Sequence, residues 1–497
     1  MAGIKSLMKD TAIYGVSSIL GRFLNWCLVP LYTIMFPVEE YGVVTFVYSV
    51  VALALIILTY GMETGFFRFA NHERWKDPMQ VYSTCLISLG VSSTLFIILV
   101  FIFLNPITGW MQCSGHPSYV AIMAVCVAID AFTALPFSYL RYKKRPIRFA
   151  YIRLVNIGLN IALNLFFILA CPALMKSAPA LVDWFYDAEF GIGYIFLANL
   201  IASIVTLLML YAELHGFRWS FNGRLWREIL VYSAPLLVLG VAGIMNQTLD
   251  KILLPSLVAD KATSDYMLGI YGANYKIAIV MVMFIQAFRF AYEPFIFARS
   301  REQGDSKNQA YCDAMKYFII FALLIFIGVM FYLDILKYFI SPRYFSGLKV
   351  VPIIMAAELF FGIFFNLSLW YKLTDKTIWG MWFSLLGLAV TVALNVLLVP
   401  VMGYMGCAWA AFCCYGTMML VSYFVGRAKH PLRYPLKSIG GYVLIAAAVY
   451  ALGMYVAVTP SAAANYIIRA ILVSGYILFV IKNEKLSIPG LRWLLKN

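Results

Sequence analysis

Fourteen stretches of about 20 mostly apolar residues follow one another along this chain of 497 residues, and they constrain its fold more than any single motif. A helix of about 20 apolar residues crosses the roughly 30 Å hydrocarbon core of a bilayer. The stretches lack the alternation of membrane barrel strands, and a helix satisfies its own backbone hydrogen bonds in lipid. Since 63% of the residues are hydrophobic and only 12% are charged, the sequence predicts an all-α polytopic membrane protein with about 14 transmembrane helices.

The loops between the predicted spans are short, so no soluble domain is expected on either side of the membrane. The longest outer loop, 172–190, has fewer than twenty residues. The predicted spans lie approximately at 11–35, 42–66, 82–104, 118–140, 150–171, 191–212, 229–256, 269–297, 311–336, 350–371, 378–400, 404–426, 438–458 and 464–481.

Basic residues are distributed unevenly between the two alternating sets of loops. The set that includes both termini carries 28 of the 38 lysines and arginines, and four more lie within spans. The other set carries six, which are Lys176, Lys251, Lys261, Lys337, Arg343 and Lys349. Because lysine and arginine are enriched in cytoplasmic loops, we predict that both termini are cytoplasmic. The net charge of +15 then reflects topology, and nucleic acid is not an expected partner.

An internal repeat relates the first six predicted helices to the next six. The segment YGVVTFVYSVVA at 41–52 resembles LGIYGANYKIAI at 268–279, with Gly42 matching Gly269. Since six spans return the chain to its starting side, the two repeats have the same orientation, as in other large transporters. The predicted parts are an N-terminal six-helix bundle at 1–222, a C-terminal six-helix bundle at 223–430, and two additional helices with the tail at 431–497.

Several parts of the sequence resemble a known family. The chain opens with KDTAIYGVSSILGRFLNWCLVPLYT followed by FPVEEYGVVTFVYSVVAL, and later contains LPFSYLRYKKRPIRFAYIRLVNIGLNIALNLFFI and LNVLLVPVMGYMGCAWAAF. These patterns of small, aromatic and Asn residues resemble the bacterial polysaccharide-transporter and O-antigen-type oligosaccharide flippases. That family belongs to the multidrug/oligosaccharidyl-lipid/polysaccharide exporter superfamily, together with the multidrug-and-toxin extruders (MATE) and the peptidoglycan-precursor flippases.

The resemblance implies a MATE-like fold and the movement of a polyprenyl-diphosphate-linked oligosaccharide from the inner to the outer leaflet of the bacterial plasma membrane. It implies alternating access between the two repeats, in the biosynthesis of a surface polysaccharide such as the O-antigen of lipopolysaccharide. The expected partners are the lipid-linked oligosaccharide, membrane lipids, and the polymerase and chain-length machinery. No metal or cofactor is expected, apart from coupling to H⁺ or Na⁺.

Polar residues within the spans are the candidate binding residues, because a charge at the centre of a bilayer costs about 2.5–3.5 kcal/mol on insertion scales. Arg22 lies deep in the first helix, and Asn25 follows one turn later on nearly the same face. A guanidinium suits a diphosphate because it donates two parallel hydrogen bonds. The repeat places Gln247 at the position of Arg22, while Lys276 and Arg289 add cations on the eighth helix. The structural alternatives are an ion pair for Arg22, a pair between Arg289 and the carboxylate one turn later, and interfacial snorkelling of Lys276.

Four carboxylates in or near the spans are candidates for ion coupling, namely Asp250, Glu63, Asp130 and Glu358. Asp250 occupies the position of Asn25 in the second repeat, and it either loads an ion or pairs with a nearby lysine. Glu63 ends the second helix on the inner side, whereas Asp130 and Glu358 lie near the middle of their spans. Each of these two is either a proton carrier or a neutral hydrogen-bond donor without a role in transport.

Two other classes of function provide alternatives to a flippase. A MATE-type antiporter of drugs or cations would favour a cavity dominated by carboxylates and would not need Arg22. An integral-membrane polysaccharide polymerase or ligase should carry its acid, base and sugar-binding groups on substantial outer loops, which this sequence lacks. Since no P-loop, HExxH or GxSxG pattern occurs in a usable context, the sequence favours a transporter over an enzyme.

Overall fold

The chain is helical throughout the part that the structure, a computed structural model, describes. The described residues are 15–484 except positions 18, 73, 76, 112, 114, 215, 216, 218, 300–304, 374, 375, 377, 430, 431 and 457–459. Within them, helices are the only regular secondary structure, and no strand is present.

Fourteen long apolar helices make up most of this described part of the chain. They are α1 (Gly15–Met35), α2 (Val38–Ala70), α3 (Pro78–Ile102), α4 (Pro117–Tyr142), α5 (Pro146–Ser177), α6 (Gly193–Met209), α7 (Gly223–Leu257), α8 (Lys261–Arg299), α9 (Asp305–Phe331), α10 (Val350–Tyr371), α11 (Ile378–Met402), α12 (Tyr404–Lys429), α13 (Leu436–Tyr455) and α14 (Ala462–Asn483). Thirteen of them are long and apolar enough to cross a membrane. The exception is α6, whose 17 residues extend about 26 Å at 1.5 Å per residue. The predicted all-α architecture with about 14 spans is therefore confirmed.

Proline and glycine set several helix boundaries. The helices α3, α4 and α5 each begin at a proline, which lacks the backbone N–H that the first turn of a helix leaves unpaired. Asp77 caps α3 by accepting a hydrogen bond of 2.9 Å from the amide of Met79. The helix α2 is interrupted at Tyr60 and Gly61, which have positive φ values of 31° and 75°. Past this break, α2 packs on α7, where Ser233 donates a hydrogen bond of 3.3 Å to the carbonyl oxygen of Gly61.

The helices divide into two compact units. The first comprises Met1–Lys276 with Ile378–Cys414, and the second comprises Ile277–Thr377 with Tyr415–Asn497. The first unit therefore holds α1 to α7, α11 and the beginnings of α8 and α12, while the second holds the remaining helices. The division predicted from the repeat stays a prediction, because compact packing and sequence repetition are different criteria.

In the first unit, α4 and α7 each pack against several neighbouring helices. The helix α7 packs against α11 and α2, while α4 packs against α2, α3 and α6, and α6 also packs against α5. At the predicted inner end, the rings of Phe66, Tyr82 and Tyr139 contact one another with centroid distances between 4.5 and 6.3 Å. Because lipid is as apolar as these side chains, close packing rather than burial from water holds such helices together.

In the second unit, the two additional helices α13 and α14 pack against α9. The buried Arg469 of α14 donates a hydrogen bond of 2.8 Å to the carbonyl oxygen of Phe331. Closer to the predicted inner side, the carboxylate of Glu484 accepts hydrogen bonds of 2.6 Å from both Lys316 and Tyr442. These polar contacts fix the C-terminal helices to α9 at two levels.

Candidate functional site

The face of α1 that carries Arg22 lies beside two other helices of the first unit. Trp26, one turn after Arg22, donates its indole N–H to the carbonyl oxygen of Lys276 on α8 at 2.7 Å. Asn25 accepts a hydrogen bond of 3.4 Å from Asn160 on α5. The side chains of Arg22 and Asn25 are exposed. Since residues four apart on a helix are neighbours, Arg22 lies beside the contact that Trp26 makes with α8, whereas Asn25 contacts α5.

The equivalent positions on α7 form a buried ion pair. Asp250 and Lys251 are 5% and 8% exposed, and the ammonium of Lys251 lies 3.0 Å from the nearer carboxylate oxygen. Tyr271 of α8 donates a hydrogen bond of 2.6 Å to the other oxygen of Asp250. Gln247 is exposed, and its backbone carbonyl accepts a hydrogen bond of 2.9 Å from Lys251. The second repeat therefore contributes one exposed amide and one satisfied ion pair.

Lys251 lies within the predicted span 229–256, so its place among the six cations of the outer loops was wrong. The residue lies inside α7, and its ammonium is 4.3 Å from the ring centroid of Tyr275 on α8. The internal repeat could have indicated that Lys251 lies within a helix, because its equivalent position in the first repeat is Trp26 of α1. Both residues contact α8.

A reciprocal contact joins α2 and α8 near their predicted outer ends, and we call it the glycine seam. A Cβ atom at Gly42 would overlap the carbonyl oxygen of Asp265, and a Cβ atom at Gly269 would overlap that of Val38. The sequence offset of 227 relates Gly42 to Gly269 and also Val38 to Asp265. The two repeats thus make the same contact in opposite directions, and glycine permits it because no side chain separates the backbones.

The candidate carboxylates other than Asp250 have different surroundings. Glu63 accepts a hydrogen bond of 2.8 Å from Arg141 in a half-exposed ion pair. Asp130 of α4 accepts a hydrogen bond of 2.7 Å from the hydroxyl of Ser203 on α6. Glu358 is buried in α10 of the second unit. Glu63, like Asp250, is therefore part of an ion pair, whereas Asp130 hydrogen-bonds to a neutral group.

A polar stripe follows one face of α6 and includes the hydroxyl that binds the α4 carboxylate. Asn199, Ser203 and Thr206 are spaced four and three residues apart on this face. Asn199 donates a hydrogen bond of 3.3 Å to the hydroxyl of Tyr48 on α2. Asn156 of α5 donates one of 2.9 Å to the hydroxyl of Thr206. This α6 stripe therefore connects α2, α4 and α5 through side-chain hydrogen bonds.

Arg289 lies in the second unit, on the part of α8 that follows Lys276. Its guanidinium carbon is 3.9 Å from the ring centroid of Phe365 on α10, and an aromatic face stabilises a cation at this distance. The side chain of Glu293, its predicted partner, is outside the described residues, so that ion pair stays a prediction. Among the described residues, no group of three or more His, Cys, Asp or Glu side chains is arranged to hold a metal ion.

The fold is shared with solved structures of membrane transporters. A structure of the lipid II flippase MurJ in an inward closed conformation matches with a TM-score of 0.74 and 13% identity, over 96% of this chain and 100% of that chain. An inward-facing multidrug resistance transporter of the MATE family matches with a TM-score of 0.65 and 12% identity, over 88% and 99%. The MATE multidrug transporter DinF-BH matches with a TM-score of 0.61 and 16% identity, over 85% and 96%. The predicted MATE-like fold is thus confirmed.

The sequence also identifies the family within this fold class. The profile of the polysaccharide biosynthesis protein family matches residues 7–298, which is more than half of the chain. The chain therefore belongs to that family, in agreement with the resemblance of its opening segments. No curated protein matches the chain by sequence. The comparisons therefore give the chain the polysaccharide biosynthesis protein family and the fold that it shares with MurJ and the MATE transporters.

Proposed function

We propose that this chain is a flippase that moves a polyprenyl-diphosphate-linked oligosaccharide from the inner to the outer leaflet of a bacterial plasma membrane. The observation that carries the proposal is an exposed Arg22 one turn before Trp26, whose indole N–H bonds to the backbone carbonyl of Lys276 on α8, in a chain of the polysaccharide biosynthesis family. These two cations come from opposite repeats. A diphosphate needs such partners because its charges are strongly disfavoured in hydrocarbon.

The chemistry of the cargo assigns a role to each polar group of the candidate site. The guanidinium of Arg22 donates two parallel hydrogen bonds to phosphate oxygens, and Lys276 neutralises the second phosphate. The exposed amides of Asn25 and Gln247 hydrogen-bond to the glycan. Arg289 is a further phosphate-binding candidate on the predicted inner half of α8. The polyprenyl tail stays in the bilayer, so the site has to hold only the polar part of the cargo.

The glycine seam supports alternating access as the mechanism. It joins equivalent residues of the two repeats at their predicted outer ends, so it closes that end while cargo enters from the inner side. Release to the outer leaflet requires α2 and α8 to separate at Gly42 and Gly269. Close backbone packing without a side-chain interlock allows the two helices to part and to return to the same contact.

Asp130 is the group that we assign to coupling with H⁺ or Na⁺. Its hydrogen bonds come from the neutral side chains of Ser203 and Cys126, and the charge of Arg153 on α5 acts on it without a direct hydrogen bond, so a proton or sodium ion can bind without displacing a hydrogen-bonded cation. The α6 stripe extends from this carboxylate to Tyr48 on α2, the helix that also forms the glycine seam. Moving one charge through the membrane potential supplies about 2.3 kcal/mol per 100 mV.

The coupling assignment is tested with Asp130→Asn in proteoliposomes. We expect transport to continue at its basal rate but to lose its stimulation by a pH or sodium gradient. Glu63→Gln, which removes a paired carboxylate at the predicted inner end, is the matched control and should retain the stimulation. Stimulation that persists in Asp130→Asn would contradict the assignment.

The proposed location and partners follow from the charge distribution and the family. We assign the chain to the bacterial inner membrane with both termini in the cytoplasm, because the loops on that side carry 28 of the 38 basic residues. Within this scheme the flippase supplies lipid-linked units to polymerase and chain-length machinery, for a surface polysaccharide such as O-antigen.

The deciding experiment is deletion of this gene from its host, followed by labelling of the lipid-linked glycan at each membrane face. Accumulation at the cytoplasmic face, with surface polysaccharide lost and dye efflux unchanged, supports the flippase. Unpolymerised units at the outer face would support a polymerase or ligase instead. Unchanged glycolipid with impaired dye efflux would support a MATE-type antiporter of drugs or cations.

A further inference from the structure

A groove of about 700 Å³ opens at the predicted inner end of α5, beside the end of α6. Its walls combine positive charge with apolar surface, contributed by Lys144, Arg145, Arg148, Ile147, Tyr151 and Met209. None of these residues belongs to the candidate cargo site on α1, α7 and α8. The groove therefore needs its own explanation.

A buried carboxylate holds the arginines of this groove in position. Glu213, from the turn after α6, lies 3.0 Å from the Nε of Arg148 and 4.0 Å from Arg145. One carboxylate offsets only one of the positive charges, and the side chain of Arg145 remains 57% exposed. Lys144 precedes it with a φ of 52°. The groove thus has a fixed geometry and a net positive charge.

Exposed tyrosines indicate that the groove lies at the depth of lipid headgroups. Tyr151 on α5 is 62% exposed, and Tyr211, just after α6, is 73% exposed. Tyrosine is enriched where hydrocarbon meets water, because its ring is apolar and its hydroxyl is polar. The basic residues beside these tyrosines therefore meet the headgroup region rather than bulk solvent.

An apolar face continues from the groove along α5. The exposed residues recur at helical spacing, at Ile147, Tyr151, Leu154, Gly158, Ala162 and Leu165. The asparagines of this helix point elsewhere, since Asn156 bonds to α6 and Asn160 bonds to α1. A positively charged groove that opens onto an apolar helix face matches a molecule with an anionic head and an acyl tail.

We propose that this groove binds one anionic phospholipid of the inner leaflet. The phosphodiester contacts Lys144 and Arg145, and an acyl chain lies along the exposed face of α5. The positive charge selects an anionic over a zwitterionic headgroup. The apolar face selects a lipid over a soluble phosphate. This inference is independent of the cargo that the protein transports.

The test uses the full-length chain in detergent, titrated with phosphatidylglycerol, and native mass spectrometry measures the fraction that carries one lipid. The test variant combines Lys144→Asn with Arg145→Gln. Asn tolerates the left-handed backbone at position 144. Arg148 remains to pair with Glu213, so the buried carboxylate keeps its partner. The melting temperature of the variant, measured without added lipid, verifies that it is folded.

The matched control combines Arg74→Gln with Arg224→Gln. These two arginines share Glu228 at the same predicted side of the membrane, so the control removes the same charge from a comparable pair. A second titration uses phosphatidylcholine with identical acyl chains. A third adds polyprenyl diphosphate to the protein already loaded with phosphatidylglycerol.

We expect the test variant to bind phosphatidylglycerol about 10- to 30-fold more weakly, and the control to change by less than about threefold. Phosphatidylcholine should bind the unmodified protein as weakly as phosphatidylglycerol binds the variant. Equal losses in the test and control variants would overturn the site in favour of general surface charge. Unchanged binding in the test variant would also overturn it. Displacement of the bound lipid by polyprenyl diphosphate would assign the groove to the transported cargo instead.

Discussion

The equivalent turns of α1 and α7 occupy the same place in the two repeats but carry different chemistry. On α1, Arg22 and Asn25 are exposed at the edge of a helix contact. On α7, Asp250 is buried and paired with Lys251. The Arg22 guanidinium is exposed, whereas the buried pair of Asp250 and Lys251 satisfies its own charges. The two repeats therefore share these helical positions, but the polar side chains at those positions have different surroundings.

The glycine seam shows the opposite relation between the repeats. There, Gly42 and Gly269 are the same residue and make the same contact. Close approach of two backbones leaves no room for a side chain, so both repeats require glycine. At this contact both repeats carry glycine, whereas the turns of α1 and α7 that have room for side chains carry different residues.

The largest expected effect on stability concerns the ion pair of Asp250 and Lys251 on α7. Asp250→Asn or Lys251→Met alone should destabilise the protein by about 3–5 kcal/mol, because each leaves the opposite charge buried without compensation. The measurement is denaturant unfolding in detergent. The double variant should recover much of this loss because both charges are gone. A double variant as unstable as the two single losses combined would contradict the ion-pair interpretation.

The next effect concerns Arg22 on α1. Arg22→Ala should lower the rate of flipping in proteoliposomes by about 10- to 150-fold, the value of a charged hydrogen bond, with little change in unfolding. Arg22→Lys should be partly active, because it keeps the charge but loses the paired geometry. Arg224→Ala is the control, since this exposed arginine is outside the candidate site. Normal flipping by Arg22→Ala would refute its role in binding.

A smaller and symmetric effect is expected at the glycine seam. Gly42→Ala and Gly269→Ala should each weaken the contact by about 1–3 kcal/mol through overpacking, and by similar amounts because the contact is reciprocal. Hydrogen–deuterium exchange should rise at the starts of α2 and α8. Gly158→Ala is the control, since an added methyl group there meets no atom within 4 Å. Exchange that rises for only one of the two variants would break the proposed symmetry.

The smallest expected effect concerns the hydrogen bond between Asn160 of α5 and Asn25 of α1. Asn160→Ala removes the hydrogen bond of 3.4 Å to Asn25 and the one of 3.2 Å that Asn160 accepts from Asn164, and each should cost about 0.6 kcal/mol, the average for such bonds in membranes. Unfolding in detergent should shift slightly, and flipping should remain near the unmodified rate. A loss of flipping comparable to that of Arg22→Ala would mean that Asn25 needs this bond to bind cargo.

Much of the fold could be predicted because lipid imposes a local rule on every span. Each apolar stretch must satisfy its backbone within itself, so its length and composition predict a helix without knowledge of its neighbours. Arg22 could be selected for a similar reason, since a charge in the middle of a span is rare. The geometry of the pair of Asp250 and Lys251 could not be predicted in this way, because adjacent residues do not share a helix face. Burial of α7 among its neighbours brings the two side chains together.

The sequence by itself determined the helical class, the order of the spans, the repeat and the family. Only the tertiary structure decided which polar residue meets which partner. Glu63 pairs with Arg141, and Asp130 with Ser203, although more than seventy residues separate each pair along the chain. Helix formation depends on hydrogen bonds four residues apart, which any segment contains. Polar partnership depends on how separate helices rotate and cross, and that is decided when they pack.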